Sequence, residues 1–392
     1  MELREITDDE LQEAFVLGAQ AFNNGARDDD FAVNRLKDPN RLPYTSYGIW
    51  DEHGLQAKAT VIHYRQHFGP QCVFPMGGIA GVACLPASRG RGYAGIVLRH
   101  TLEQMRERGE FLSDLFPFSW EFYRRLGWAW VGQRNDYVVT TRILTADKET
   151  EHVRAAVTAD RPALQGCYTA WAGRYRGPVE RDEKLWNRIL DDSEKEHTYT
   201  FIYESDGKIE GYLTFKGWKR EETRLREFVA LTPRSQRALL GLLRRHEMQV
   251  EHFAWGSPGD DGLWHQLYHW DVKTQTRPVT MGRIVDVAAA LTAWKPNAAF
   301  SGKVTLQVHD ATAAWNNGTW QADFSEGSVD VKAVDSPPEI TLDIQALSQA
   351  YYGTPNLASL RRGGRMEIHS ETGYDALCLL LDGPPMWMND SF

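Results

Sequence analysis

The sequence predicts an α/β (α+β) chain in three parts: two tandem blocks built on mixed sheets, then a smaller α+β block. Three observations carry that prediction. At 392 residues the chain exceeds what one hydrophobic core usually serves. Strand-like and helix-like segments alternate to about residue 280, and the second half of that stretch repeats the first in weakened form. From residue 281 the pattern changes to an alanine-rich helix followed by short alternating strands. These changes place the boundaries at 1–145, 146–280 and 281–392.

Composition narrows the class. A hydrophobic content of 42%, with 14 Trp, supplies ample material for packed cores. The formal charge of −9 disfavours nonspecific nucleic-acid binding and suits cationic, amine-bearing substrates. Cys72, Cys84, Cys167 and Cys378 are far apart, show no C-x-x-C spacing and read as reduced thiols. No apolar run approaches ~18 residues, and the start Met1-Glu2-Leu3-Arg4-Glu5 is charged, so no membrane span is expected and a cytoplasmic location is the default.

In the first block, Thr7-Asp8-Asp9-Glu10 is an N-cap pattern ahead of Leu11, Phe15, Ala19 and Phe22 at helical spacing. The acidic run Asp28-Asp29-Asp30 reads as a solvated turn, or as help in binding a substrate ammonium. Strands are expected at Tyr44–Trp50, Ala57–Tyr64 and Val73–Leu85, with Asp51 to Gly54 turning the first hairpin. The next stretch organises the rest: Val82-Ala83-Cys84 ends a strand, Arg89-Gly90-Arg91-Gly92-Tyr93-Ala94-Gly95 forms a loop, and Ile96 to Arg108 continue as a helix. That order puts backbone N–H groups at the positive end of a helix dipole, where phosphate binds.

Several readings of the loop compete. Gly90-x-Gly92-x-x-Gly95 matches the dinucleotide fingerprint formally, with Asp114 at the place of a ribose-binding acid, but Pro86 to Arg89 separate strand from glycine. No Lys-Ser or Lys-Thr pair follows, which excludes a P-loop. A plain glycine turn with solvated arginines is the bland alternative. Arg89-x-x-Gly92-x-Ala94 resembles the pyrophosphate loop of the Gcn5-related N-acetyltransferases (GNAT). Further on, a strand at Phe111–Phe116, the turn Pro117-Phe118-Ser119 and a short helix at Trp120–Arg125 lead to Leu126-Gly127-Trp128. Phe122-Tyr123-Arg124-Arg125-Leu126-Gly127-Trp128 is the second resemblance, to the superfamily's Tyr-x-x-x-Gly segment. Its tyrosine faces the coenzyme sulfur, whereas the bland reading is a packing aromatic with a bonded hydroxyl. Trp50, Phe116 and Trp120 could line a pocket. Val131–Thr140 closes the block as a strand.

In the second block helices are expected at Arg161–Arg174, Asp182–Leu190 and Ser235–Met248, and strands at Thr198–Tyr203, Ile209–Phe215 and Leu225–Leu231. At a fixed offset Val82-Ala83, Pro86 and Ser88 fall on Val229-Ala230, Pro233 and Ser235, while Gly92 falls on Leu239. The phosphate loop is therefore not repeated, and one cofactor site per chain follows. His265 and His269 lie at i and i+4, but Gln266 stands where a zinc peptidase needs Glu, so no metal is expected. The third block begins with Met281–Val287 and a helix at Ala288–Trp294. Strands at Lys303–His309, Thr319–Phe324 and Ser328–Lys332 follow, then helices around Leu342–Tyr351 and Tyr374–Leu381. The last residue, Phe392, reads as a docked end.

Taken over its length, this order resembles the enhanced-intracellular-survival (Eis) family of GNAT acetyltransferases. The resemblance implies two GNAT-type domains, the second degenerate, and a sterol-carrier-like third. It implies acetyl-CoA as co-substrate, with Val82, Ala83 and Cys84 along pantetheine, Arg89 to Gly95 on the pyrophosphate, and Phe118 and Ser119 as a second contact. It further implies Tyr123 as general acid, the Phe392 α-carboxylate as proton acceptor, and a homohexamer. The acceptor would be a small-molecule or peptidyl amine of aminoglycoside, polyamine or lysine type. Ser391 replaces the acidic neighbour of the terminal aromatic found in aminoglycoside-modifying members, with Asp390 one position earlier. The alternative is a noncatalytic carrier binding an apolar ligand in the third block.

Overall fold

The computed structural model describes residues 1–22, 40–70, 72–192, 196–267 and 269–390. The first block runs β1 (Glu2–Glu5), α1 (Leu11–Phe22), β2 (Tyr44–Asp51), β3 (Gly54–Phe68), β4 (Val73–Cys84), α2 (Tyr93–Glu107), β5 (Leu112–Leu115), α3 (Trp120–Arg124) and β6 (Ala129–Thr140). The second runs β7 (Val153–Ala155), α4 (Arg161–Ala172), β8 (Arg176–Val179), α5 (Glu183–Leu190), β9 (Thr198–Ser205), β10 (Lys208–Lys216), β11 (Glu222–Ala230), α6 (Pro233–Arg244), β12 (His252–Ser257) and β13 (Val272–Ile284). Asp28, Asp29 and Asp30 lie outside the described residues.

Local chemistry starts the helices where the caps stand. The Glu10 carboxylate accepts from the Thr7 N–H at 3.0 Å and is held by Arg4, which with the Thr7 bonds pulls its pKa down to about 2. Asp182 accepts from the Leu185 N–H at 2.9 Å to open α5. β2 and β3 form the expected hairpin, pairing Asp51 with Gly54. His265 sits in a single 3-10 turn, Leu263–His265, that stops before His269, so the two imidazoles do not share a helix face.

Strands of both blocks join one 13-stranded sheet in the order β1-β2-β3-β4-β5-β13-β6-β12-β11-β10-β9-β7, with β8 added on β3. β4 pairs with β5 in parallel, and β11 with β12 likewise. The two halves interlock at the centre. β13, the last strand of the second block, lies antiparallel beside β5 from Met281↔Leu115 to Ile284↔Leu112, while β6 of the first block lies antiparallel beside β12. β6 and β13 also pair with each other, from Val272↔Val139 to Gly282↔Ala129. The sequence reading placed no strand at β12 or β13, and β13 runs through residues 280 and 281, where the composition changes.

The third block comprises α7 (Val287–Ala293), β14 (Gly302–His309), β15 (Gly318–Ser325), β16 (Ser328–Ala333), β17 (Ile340–Asp343), α8 (Ile344–Tyr352), α9 (Leu357–Arg362), β18 (Met366–Ile368) and α10 (Glu371–Leu380). Its separate sheet has the order β16-β15-β14-β17-β18. α8 ties it to the first block: Gln345 donates to the Arg124 carbonyl at 3.0 Å, Gln349 to the Trp130 carbonyl at 2.9 Å, and the Ile284 N–H donates to Ser348 Oγ at 2.9 Å. One apolar cluster runs from Tyr64, Phe68 and Phe74 of the first block into Leu306, Tyr351 and Leu377 of the third, so the interface is built like a domain interior. No helix among the described residues is long and apolar enough to cross a membrane.

Candidate active site

The site begins where β4 outruns β5. Ile79↔Leu115 is their last pair, and Ala80 to Cys84 continue without a β5 partner. On its other side β4 carries an extra residue against β3, between Ala80↔Thr60 and Ala83↔Lys58, with Gly81 at φ +55°. A bulge of this kind sharpens local twist and turns a strand from its neighbour. The main chain of Gly81 to Cys84 thereby has no strand partner on the β5 side, an edge that can pair with an extended ligand.

The loop beyond has a geometry suited to phosphate. A 3-10 turn at Pro86–Ser88 separates strand from glycines, which sets it apart from a dinucleotide turn. Ser88 is buried and its hydroxyl bonds Gln56 of β3, which anchors the turn. Gly92, at φ +83°, is the N-cap of α2, and the first helical bond runs from the Ile96 N–H to its carbonyl at 3.1 Å. The N–H groups of Gly92, Tyr93, Ala94 and Gly95 therefore have no intrahelical partner. A Cβ added at Gly90 or Gly92 would meet nothing within 4 Å, so the surface above both is open for close approach. Arg89 and Arg91 are exposed beside it, and among the described residues no carboxylate pairs with either.

On the other side of that strand end, β5 leads through Phe118 and Ser119 to α3. Ser119 Oγ accepts from the Phe122 N–H at 3.4 Å as N-cap, so it orients the helix that carries Tyr123. Tyr123 is 3% exposed, edge-on to Phe118, Phe122 and Trp128, and shares its buried cluster with Ile79 and Val82. Burial pushes its phenol well above the usual range, so the hydroxyl stays protonated at neutral pH. Among the described residues that hydroxyl has no hydrogen-bond partner.

Gly127 fixes where α3 ends. It has φ +93°, and a Cβ there would lie 1.6 Å from Arg283 Nη1. Arg283, fully buried on β13, donates to the Leu126 carbonyl and to Asp310 of the third block, so all three parts of the chain meet behind Tyr123. The sequence did not disclose this support: Arg283 stands in the Met281–Val287 stretch that opens the third block, but nothing in the sequence pairs it with Asp310.

Asp114 occupies a different place from the ribose acid of the dinucleotide reading. It is completely buried, accepts from Tyr352 at 2.6 Å and from Gln66, and burial pushes its pKa up to about 7 against those two bonds. Trp50 and Phe116 pack in different clusters, the first against α1 and the second against the third block, so they do not line one pocket.

The second block lacks the cradle. By topology α6 corresponds to α2, and Thr232, not Leu239, stands at its N-cap. Leu239 is buried in mid-helix, a correction to the fixed offset that arises because the first block has the added turn Pro86–Gly92. Thr232 Oγ1 accepts from the Ser235 N–H at 3.2 Å, which occupies the helix N-terminus. Arg174 donates to the Ala230 and Leu231 carbonyls at 3.4 and 2.6 Å, covering the end of β11 that corresponds to the open end of β4.

The tail runs into the second block. The Trp387 N–H donates to the Arg176 carbonyl at 2.8 Å, and Trp387 is 2% exposed. Asp390 accepts from Arg181 at 2.9 Å and from Tyr168 and the Val179 N–H, both at 3.2 Å. Ser391 and Phe392 lie outside the described residues.

Comparison with known proteins agrees with this architecture. Family models for acetyltransferase (GNAT) domains match residues 2–131 and 177–284, and a sterol carrier protein domain model matches 286–389. An uncharacterized N-acetyltransferase of Streptomyces avermitilis is 28% identical over 82% of this chain and 82% of its own, and one of Streptomyces coelicolor is 25% identical over 82% and 83%. A GCN5-related N-acetyltransferase from Anabaena variabilis superposes over the full length of both chains with TM-score 0.88 at 23% identity. Eis1 from Mycobacterium abscessus also superposes over the full length of both, with TM-score 0.80 at 21% identity. The chain is an N-acetyltransferase of the GNAT superfamily, with two acetyltransferase domains followed by a sterol carrier protein domain.

Proposed function

We propose that the first block transfers acetyl from acetyl-CoA to a primary amine, in the manner of the Eis family it resembles, and that the chain assembles as a homohexamer. The open main chain of Val82, Ala83 and Cys84 holds the pantetheine arm. Arg89, Gly90, Arg91, Gly92, Tyr93, Ala94 and Gly95 hold the pyrophosphate through backbone N–H groups and two guanidinium groups. Phe118 covers the arm from the β5 side, where the side chain is 64% exposed. Acetyl-CoA supplies the activated thioester carbonyl; the protein supplies alignment and proton movement.

Direct attack by the amine is favoured over a covalent acyl-enzyme. Cys84, the thiol nearest the cradle, has its pKa pushed up by burial despite the lowering effect of Arg89, so it is a poor nucleophile. Tyr123, protonated and unpartnered, gives its proton to the departing sulfur. The Phe392 α-carboxylate, with a reference pKa near 3.5, takes the proton released by the amine. This role rests on the resemblance to the Eis family.

The observation that carries this reading is the conjunction of an unpaired strand end, an open glycine N-cap and a buried, protonated tyrosine around one apolar cluster. Calorimetric titration with acetyl-CoA, followed by thiol release with a panel of amines, tests it. Saturable binding and amine-dependent release are expected. No acetyl-CoA binding would favour the noncatalytic carrier, and NAD binding in its place would favour the dinucleotide reading.

A further inference from the structure

The strand divergence that marks the candidate active site occurs a second time. β11 and β12 pair in parallel only as far as Arg224↔Ala254, after which β11 runs on to Ala230 and β12 to Ser257. A cavity of about 190 Å³ lies beyond that last pair, among the far ends of the two strands, the first turn of α6 and the end of α4. It is not a second coenzyme cleft, because Arg174 covers the β11 carbonyls and Thr232 occupies the helix N-terminus.

Its walls are of two kinds. Trp171, Tyr175 and Phe228 supply aromatic surface, with the Trp171 and Tyr175 ring centroids 5.2 Å apart. Asp260 and Asp261, from the loop after β12, supply carboxyl groups. Asp261 is fixed in place, accepting from the Ser257 hydroxyl and, at 2.9 Å, from the Leu263 N–H. Burial pushes its pKa up to about 6 against those bonds, and Asp260 presses the same way. Gln236 is engaged as well, donating to the Asp261 carbonyl at 2.9 Å and accepting from Gln266. Arg174, the cation that lines the cavity among the described residues, is exposed and directs both terminal nitrogens at the Ala230 and Leu231 carbonyls.

One polar group in these walls is left over. Tyr175 is 5% exposed and lines the cavity, yet among the described residues its hydroxyl has no hydrogen-bond partner. Burial raises its phenol, and Asp260 and Asp261 add to the effect, so the hydroxyl keeps its proton and its oxygen stands in the field of both carboxyl groups.

These groups converge on one kind of guest. Aromatic faces attract a cation through their quadrupole, a carboxylate strained by burial is relieved by positive charge beside it, and a phenol oxygen accepts an N–H. A divalent metal ion asks instead for roughly six or more oxygen ligands, and no metal-holding group of three His, Cys, Asp or Glu occurs among the described residues. An engineered cavity of about 150 Å³ takes benzene, so the guest here is of similar size. We propose that this cavity binds a small organic ammonium ion, with its N–H groups on the Asp261 carboxylate and the Tyr175 hydroxyl and its carbon chain against Trp171 and Phe228. Such a site is separate from the cradle at Gly92 and holds whether or not the first block transfers acetyl.

Calorimetric titration of the intact protein with propylammonium chloride tests it, with propanol as the neutral isostere and calcium chloride as the metal. Saturable binding of propylammonium, and of neither control, is expected at about pH 8, where Asp261 is ionised. Asp261→Asn keeps an oxygen for the Ser257 hydroxyl and the Leu263 N–H, and should weaken binding about tenfold or more. Tyr175→Phe removes an oxygen that no described residue engages, and should weaken it about threefold or more. Both proteins are checked for folding by near-ultraviolet circular dichroism; should Asp261→Asn not fold, Tyr175→Phe alone decides. Affinity that survives either substitution in a folded protein belongs to another site, such as the acceptor site of the first block, and overturns the proposal. Equal binding of propanol, calcium taken in place of the ammonium ion, or no saturation into the tens of millimolar does the same.

Discussion

Tyr123 is held by ring contacts with Phe118, Phe122 and Trp128, and burial keeps its phenol protonated. Removing its hydroxyl leaves the ring contacts with Phe118, Phe122 and Trp128 in place. Tyr123→Phe should therefore lower kcat by roughly 10²–10⁴, the usual worth of a general acid, with little change in thermal midpoint; unchanged turnover would remove the assignment. Gly127 makes the opposite kind of claim. Alanine there collides with Arg283 and disturbs its buried pair with Asp310, so Gly127→Ala should cost about 3–5 kcal/mol, read as a lowered denaturant midpoint. Asp114 adds a pH dependence. Folded, it binds a proton up to about pH 7, whereas an ordinary aspartate releases it near pH 4. The folded state thus holds more protons than the unfolded one between those values, and stability must fall as pH rises from about 4 to 7. Asp114→Asn should flatten that slope in thermal melts at successive pH values. The short helix that carries Tyr123 was legible in the sequence, expected at Trp120–Arg125 and found at Trp120–Arg124. The roles of Gly127 and Asp114 were not, since each depends on a residue far along the chain, Arg283 and Tyr352.

At the scale of elements, the strand, loop and helix around Gly92 could be read directly, because glycines and arginines between two apolar periodicities leave few conformations. The structure adds the reason that Gly92 is needed: a left-handed N-cap under an open surface. Gly92→Leu should retain the fold, at a cost of about 1–2 kcal/mol for the left-handed backbone, yet weaken acetyl-CoA at least tenfold in titration. Equal affinity would show that the N-terminus of α2 is not the cradle. β13 was illegible for a physical reason. Its outer half, Lys273 to Arg277, is exposed and charged, and Pro278 breaks the ladder at a register shift, so nothing in the pattern marks a strand at the middle of a sheet. β8 escaped likewise, since Arg176-Gly177-Pro178-Val179 reads as a turn and becomes a strand only through its partners on β3.

For the whole molecule, the sequence disclosed three parts and a faded repeat but not how the parts are joined. Two sequential domains would each close their own sheet; here β5 is covered by β13 and β6 is covered by β12. Residues 1–145 alone would leave the fully buried β5 without its neighbour. That fragment is expected to aggregate or remain unfolded by circular dichroism and gel filtration, and co-production with 146–392 should recover soluble protein. A soluble, cooperatively melting fragment would contradict the sheet order. The central ribbon of β6 and β13 has one more implication. A half of the protein that has lost its own cradle still furnishes the flank against which Leu112 to Leu115 are laid. Acetyl transfer by the first block and the integrity of the second are therefore parts of one cooperative unit, and on gentle heating the protein should lose turnover in step with the tryptophan signal of the second block.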